Sequence, residues 1–393
     1  MTQKKFESIT VLKGLACIVV FVAHWKAFFE SLGSPKLDYL VFEGPLVILI
    51  YSSMGVSVFL MLSAALTALK IYRREAELKE MKLADEMPRV FSDIKKRYVT
   101  LCIPIFITSM LVFICQRLGL LFSSEAGAAL SNDFIAGLYT EPLKLVRLVT
   151  ISFATALFRQ ENSVYVPFWM MCYIFLGSLI SMGMSYVMLS LDRRWKMLTA
   201  GFLIIVMSLL DSFFLTTILG NIIGLALARG KASVPKANGL RLKRTLIGGA
   251  VLLAGIWLSS KVYVFVWDLE HEYGLAAPLS DAWFWQVWCG VMIIIGFILL
   301  YENLVAMLPG MILRRLLEML GSISYEVFLT HWLVMCSFSC RFYLTHISDH
   351  MHISILLNFI LSLIITICLS IAYYFFMKLI MGSIAGAAAK WKK

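Results

Sequence analysis

Charged residues are scarce in this sequence: Asp, Glu, Lys and Arg together make up 15% of it, against about 25% in ordinary soluble domains. A chain of 393 residues that is 60% hydrophobic, with a mean hydropathy of +0.84, cannot cover two or three soluble cores with polar surface. Soluble binding modules and structural proteins are excluded on that ground. Acidic residues are the rarer sign, 24 against 35 basic ones, which leaves a formal net charge of +11. Cysteine offers no framework either. The eight cysteines lie in or beside apolar stretches, with no C-x-x-C spacing and no paired loop positions, so they read as small packing residues. Internal repeats, low-complexity tracts and an appended soluble domain are all missing from the pattern, which leaves 1–393 as one integral-membrane domain. The first apolar run continues into a polar, aromatic end without a small-residue cleavage site, so no cleavable signal peptide is expected.

What the sequence does have is long apolar runs. A spanning helix needs about 20 apolar residues. Runs of that kind fall at 9–30, 46–70, 98–120, 164–190, 197–211, 212–229, 246–267, 284–304, 323–345 and 353–383. The expected fold is all-α, a polytopic membrane protein with about ten transmembrane helices. The fifth and sixth spans are short and separated only near Asp211, as in a tight helical hairpin, and the last is long enough to be tilted or broken. Most of the 35 Lys and Arg residues gather in alternate connectors, on one side of the membrane: in the stretch through Lys13, in 70–97, 192–196 and 229–244, at Arg314 and Arg315, and in the tail from Lys378. The positive-inside rule makes that side cytoplasmic, with both termini on it. Topology therefore accounts for the excess positive charge. No nucleic-acid partner is expected; the partners are the lipids of the cell (cytoplasmic or inner) membrane. On the cytoplasmic side, 71–97 reads as a mixed-charge helix ending in Lys95-Lys96-Arg97. Outside, 121–163 is the longest loop, with a partly buried helix expected in Leu143–Phe158.

The first span holds the arrangement most in need of explanation. Lys13 begins it and His24 lies about two-thirds along. Eleven positions at about 100° each return to the same helix face, and a rise of about 1.5 Å per residue separates the two by roughly 16 Å. One face carries a cation at the membrane edge and an imidazole at depth. Two readings stand. An ionisable group inside a bilayer needs a partner and marks a functional site; alternatively, a snorkelling Lys sits beside a core His bonded to a backbone carbonyl. His271, His346, His350 and His352 belong to outer loops, and one acid with two imidazoles (Asp349, His350, His352) is too thin a set to predict a metal site.

Four further stretches complete a pattern. Gly55-Val-Ser57-Val-Phe-Leu-Met-Leu-Ser63-Ala64 lies in the second span, and Lys95-Lys96-Arg97-Tyr98 precedes Pro104 at the third. Trp169 through Tyr173 to Gly177-Ser178 lies in the fourth, and Gly321-Ser-Ile-Ser324-Tyr325-Glu-Val-Phe-Leu-Thr-His331-Trp332 opens the ninth. With Lys13-Gly-Leu-Ala and His24 these resemble, in order and spacing over essentially the whole chain, the acyltransferase-3 family of integral-membrane O-acyltransferases that modify cell-surface glycans. The departures are specific. Lys13 stands where Arg is usual, Ser57 where an acid is usual, and Ile174 where a Glu follows the Trp; Glu161, Asp211, Glu302 and Glu326 are the alternative acids. Each stretch also has a plain reading. Small residues allow close helix packing, basic clusters anchor topology, and Gly321 with Ser322 makes a tight start and cap for the ninth span.

The resemblance implies a catalytic set of His24, Lys13, His331, Tyr325 and Trp169. It also implies donor-binding contacts at Lys13, Lys96, Arg97 and Ser63, acetyl-CoA as acyl donor, and no metal. The acceptor would be a cell-surface polysaccharide or lipid-linked glycan. Acyl transfer to a hydroxyl needs a general base, and an imidazole with an ordinary pKa near about 6.5 suits that task. Tyr325 and His331 are six apart, about 120° around one helix, so they read as two separate contacts. Two other classes remain open: a transporter or flippase, for which buried histidines and a basic inner face also serve, and a family member that has lost its chemistry.

Overall fold

Within a bilayer a backbone must satisfy its own hydrogen bonds, by helix or by closed barrel. The unbroken apolar runs of this chain lack the alternation that a barrel strand requires. The computed structural model describes residues 3–29, 52–80, 83–229, 238–271, 276, 278–307, 310–346 and 351–390, and among them it has helices and no strand. The principal helices are α1 (Gln3–Phe29), α2 (Ser52–Tyr72), α3 (Leu83–Arg117), α4 (Met171–Ser190), α5 (Arg193–Leu210) and α6 (Ser212–Arg229). They continue with α7 (Asn238–His271), α8 (Ala282–Met307), α9 (Gly310–Ser322), α10 (Ser324–Val334), α11 (Cys340–His346) and α12 (Met351–Lys390).

Nine stretches among the described residues are long and apolar enough to cross a membrane. They coincide with nine of the ten expected spans, so the chain is an all-α, multi-pass membrane protein. The remaining one, at 197–211, lies in α5. Its first turn carries Arg193, Arg194 and Lys196, and none of its residues is buried. Those three cations set it apart in composition from the other nine. α5 and α6 make the expected hairpin: Asp211 alone joins them in extended conformation, and its carboxylate accepts from the Phe213 amide (2.7 Å). The last span runs unbroken through the 40 residues of α12. The 121–163 loop forms a helix at Leu145–Phe158, as its apolar residues predict. All eight cysteines are free, six of them buried.

The chain divides into two compact units, each discontinuous in sequence. The first comprises Met1–Val20, Pro35–Phe91 and Leu176–Ser322. Its core depends on glycines where helices meet. A Cβ on Gly220 would lie 2.3 Å from the Met61 carbonyl oxygen, and one on Gly224 2.7 Å from that of Ala65. α6 therefore rests on the backbone of α2. Between them Asn221 donates to the Ser181 carbonyl (2.7 Å) and to Ser185 (2.9 Å), and accepts from Tyr72 (2.7 Å). α1 meets α9 through Gly14 and Gly321, with Glu7 paired to Arg314 at 2.7 Å. Arg74 closes the mixed-charge segment by reaching Glu77 (2.8 Å) and the buried Glu86 (2.7 Å). The second unit comprises Phe21–Ser34, Ser92–Phe175 and Ile323–Lys393, and it holds His24 and His331.

Candidate active site

His331 lies on α10, whose backbone beside it is bonded by a side chain from another segment. Tyr165 is fully buried and needs a partner for its hydroxyl. It finds one inside the neighbouring helix, donating to the Leu329 carbonyl (2.7 Å) and accepting from the Leu333 amide (3.0 Å). Those two groups belong to one turn of the continuous helix Ser324–Val334, so the hydroxyl bridges that turn from the side. Directly after α10 the backbone widens into a π-helix at Met335–Ser339. There the Cys336 carbonyl accepts from the Phe122 amide (2.8 Å) and the Ser339 carbonyl from the Asn358 amide group (3.0 Å). The Asn358 side-chain oxygen in turn accepts from Trp25 (3.3 Å). A widened helix with its backbone groups satisfied from outside is a recurrent feature of functional sites.

His24 and His331 meet in this setting. His24 Nδ1 is 2.9 Å from His331 Nε2, and His331 Nδ1 is 3.1 Å from the Val327 carbonyl oxygen. The two rings are nearly parallel, with centroids 5.1 Å apart. His331 is buried and His24 is half-buried. Trp332 and His24 meet at right angles with ring centres 5.2 Å apart, and Phe28 packs on Trp332 at 4.9 Å. From the 121–163 loop Phe134 reaches Trp332 at 6.2 Å. The loop is held there by Asn132, which donates to the Ala27 carbonyl (3.0 Å) while its oxygen caps the Ile135 amide. The arrangement is two imidazoles, hydrogen-bonded in series, in aromatic and apolar surroundings. Such a pair can accept one proton and spread its charge across a hydrogen bond.

The other expected site residues take separate places. Tyr325 is not beside His331: its hydroxyl lies 3.7 Å from Met171 Sδ, and it interacts electrostatically with Arg97. Lys96 is exposed and Arg97 half-buried. Trp169 sits on a 3-10 turn, Val166–Met170, against Tyr173, which accepts from Gln160. Ile174, at the position of the usual acid, is buried. In the first unit, the Lys13 ammonium lies 4.6 Å from the centre of the Phe59 ring. Ser63 donates to the Phe59 carbonyl of its own helix (2.9 Å), and Ser57 is buried with no hydrogen-bond partner among the described residues.

Two expectations need correction or a boundary. Ser322 does not cap α10. Its hydroxyl donates back to the Met319 carbonyl (2.7 Å), the cap position is Ile323, and Gly321 is small because Thr10 presses on it. The Asp349, His350 and His352 cluster falls outside the described residues and side chains, as does the Glu302 side chain; among the described residues no group of metal-ligating side chains occurs.

The spacing from Lys13 to His331 and this histidine pair fit one assignment. A family model described as an acyltransferase domain, acyltransferase 3, matches residues 6–375. The chain belongs to the acyltransferase 3 family. No curated protein and no solved structure matches it. As an acyltransferase 3 protein it carries its imidazoles where the motif spacing puts them, but the sequence did not announce that they touch. Tyr165 and Asn358 were missed as well. Their signal was present, since a buried Tyr and an Asn inside an apolar span each demand a polar partner. Of the alternative acids in this acyltransferase 3 chain, Asp211 caps α6, and Glu161 accepts from the Ser163 amide (2.8 Å).

Proposed function

We propose that this membrane acyltransferase is an O-acetyltransferase of the cell (cytoplasmic or inner) membrane. It moves acetyl from cytoplasmic acetyl-CoA to a hydroxyl of a cell-surface polysaccharide or lipid-linked glycan, with His24 as general base. The observation that carries the reading is the hydrogen-bonded pair of His24 and His331 in apolar, aromatic surroundings. A sugar hydroxyl is a poor nucleophile until its proton has somewhere to go. In the proposed reaction the proton passes to His24 as the hydroxyl oxygen attacks the thioester carbonyl. The carbon–sulfur bond then breaks, and the proton leaves with the thiol of coenzyme A. The base returns to its starting state.

For the donor, Arg97 offers the planar fork that suits phosphate, and the exposed Lys96 adds a point charge next to it. Family membership favours transfer over the carrier reading. The proposed orientation puts both termini and the Lys95–Arg97 cluster in the cytoplasm, following the charge asymmetry of the loops; termini on one side need an even number of crossings, so in this reading α5 crosses as a tenth span beside the nine apolar helices.

The test compares the O-acetyl content of surface polysaccharide from cells with the gene deleted, restored, and restored as His24→Ala. The expected result is loss on deletion, recovery with the natural sequence and none with the variant, at equal amounts of protein in the membrane. Full acetylation with His24→Ala would overturn the assignment of the base. Unchanged acetylation in all three would overturn the acceptor class and favour a member that has lost its chemistry, as Ile174 at the acid position allows.

A further inference from the structure

The hydrogen bonds of the histidine pair run in one direction only. A carbonyl oxygen has no hydrogen to give, so in the contact of His331 Nδ1 with the Val327 carbonyl the ring nitrogen is the donor. His331 is 1% exposed, and no solvent competes for that hydrogen. A neutral imidazole with hydrogen on Nδ1 has a lone pair on Nε2. Nε2 of His331 is the atom 2.9 Å from His24 Nδ1, so His24 Nδ1 must bring the hydrogen to that contact. The remaining ring nitrogen of His24, Nε2, is left with its lone pair. A backbone carbonyl thus sets the tautomer of one ring, and that ring sets the tautomer of the next.

We infer that His331 is a positioning residue, which holds His24 in the Nδ1–H tautomer so that His24 Nε2 is the basic atom of the site. The inference rests on His24 being the base and assigns the role that sequence left open for His331. When Nε2 takes the proton of an acceptor hydroxyl, His24 becomes an imidazolium whose Nδ1–H is already directed at a neutral acceptor. The proton count closes: one proton leaves the hydroxyl, resides on Nε2, and departs with the thiol, while the Nδ1 hydrogen never moves. The orienting group is an imidazole where many acid–base sites use a carboxylate. This suits a chain whose usual acid positions carry Ser57 and Ile174.

The test has two readouts on the full-length protein in lipid bilayers. Nitrogen-15 NMR of histidine-labelled protein, with His24 assigned from the His24→Ala spectrum, reports which ring nitrogen bears hydrogen. The expected result is hydrogen on Nδ1 of His24 in the natural protein. In His331→Leu the hydrogen should move to Nε2, the tautomer that an unrestrained histidine favours. In His331→Gln, whose amide oxygen can accept in place of the ring nitrogen, hydrogen should remain on Nδ1. In parallel, His331→Leu should lower kcat by about 10²- to 10⁴-fold, the range of a lost general base, with KM for the acyl-CoA unchanged and partial recovery in His331→Gln. Hydrogen on Nε2 of His24 in the natural protein, or on Nδ1 in His331→Leu, would overturn the inference. Because the spectrum needs no substrate, expected tautomers without any acetyl transfer would reject the proposed reaction and leave the positioning role standing.

Discussion

Tyr165 shows how a single hydroxyl shapes the site. It bonds the Leu329 carbonyl and the Leu333 amide, two residues on either side of His331, and so ties down the helix turn that carries the imidazole. Tyr165→Phe deletes that bridge and leaves two buried backbone groups to re-form a helical bond or go unsatisfied. The expected cost is about 1–3 kcal/mol, read as a lower Tm of the purified protein in detergent, together with reduced transfer. An unchanged Tm with unchanged activity would show that the hydroxyl is incidental. Residues of this kind are hard to read in a sequence. Tyr165 sits in the stretch that leads to Trp169, where the Trp carries the family resemblance, yet the Tyr makes the contact to the histidine helix. His331 itself was legible as a candidate but not its partner, since 307 positions separate it from His24.

At the scale of helices, the glycines of two motifs turn out to answer one another. Gly14 belongs to Lys13-Gly-Leu-Ala and Gly321 to the Gly-Ser-Ile-Ser-Tyr stretch, and the backbones of α1 and α9 approach through both. A Cβ on Gly14 would lie 2.7 Å from the Gly321 amide nitrogen, and one on Gly321 2.1 Å from the Thr10 carbonyl oxygen. Gly321→Ala forces those backbones apart and should cost about 1–3 kcal/mol by overpacking. Gly249→Ala on α7 is the comparison. Nothing lies within 4 Å of its added methyl, so helix propensity alone acts there, a gain of roughly 1 kcal/mol. Thermal melts in detergent should move down for the first and level or up for the second. Equal shifts would mean that the α1–α9 crossing tolerates separation. α5 teaches a related lesson. Hydropathy marks its apolar part as a span, while Arg193, Arg194 and Lys196 in the same helix separate it in composition from the nine; the proposed placement of both termini on one side makes it the tenth crossing.

For the molecule as a whole, the nine apolar helices determine a multi-pass membrane protein, and the distribution of Lys and Arg supplies the proposed orientation. A green fluorescent protein fused after Lys393 should fluoresce, and alkaline phosphatase at the same place should stay inactive; the reverse pattern would place the C terminus outside. The sequence by itself determined the class of this protein, its spans and its family. Those properties are written in local composition and in the order of short motifs, and a window of about 20 residues suffices to read apolarity. Only the tertiary structure decided that His24 and His331 touch, that Tyr165 bonds the α10 backbone, that the Tyr325 hydroxyl lies by Met171, and that Gly14 meets Gly321. Each is a pairing between segments far apart in the chain. Helix periodicity says which face a residue occupies and leaves open which other face it will meet. Packing settles that by matching small residues to backbones and buried donors to acceptors, and the direction of the hydrogen bonds then selects the nitrogen of His24 that is left free to act.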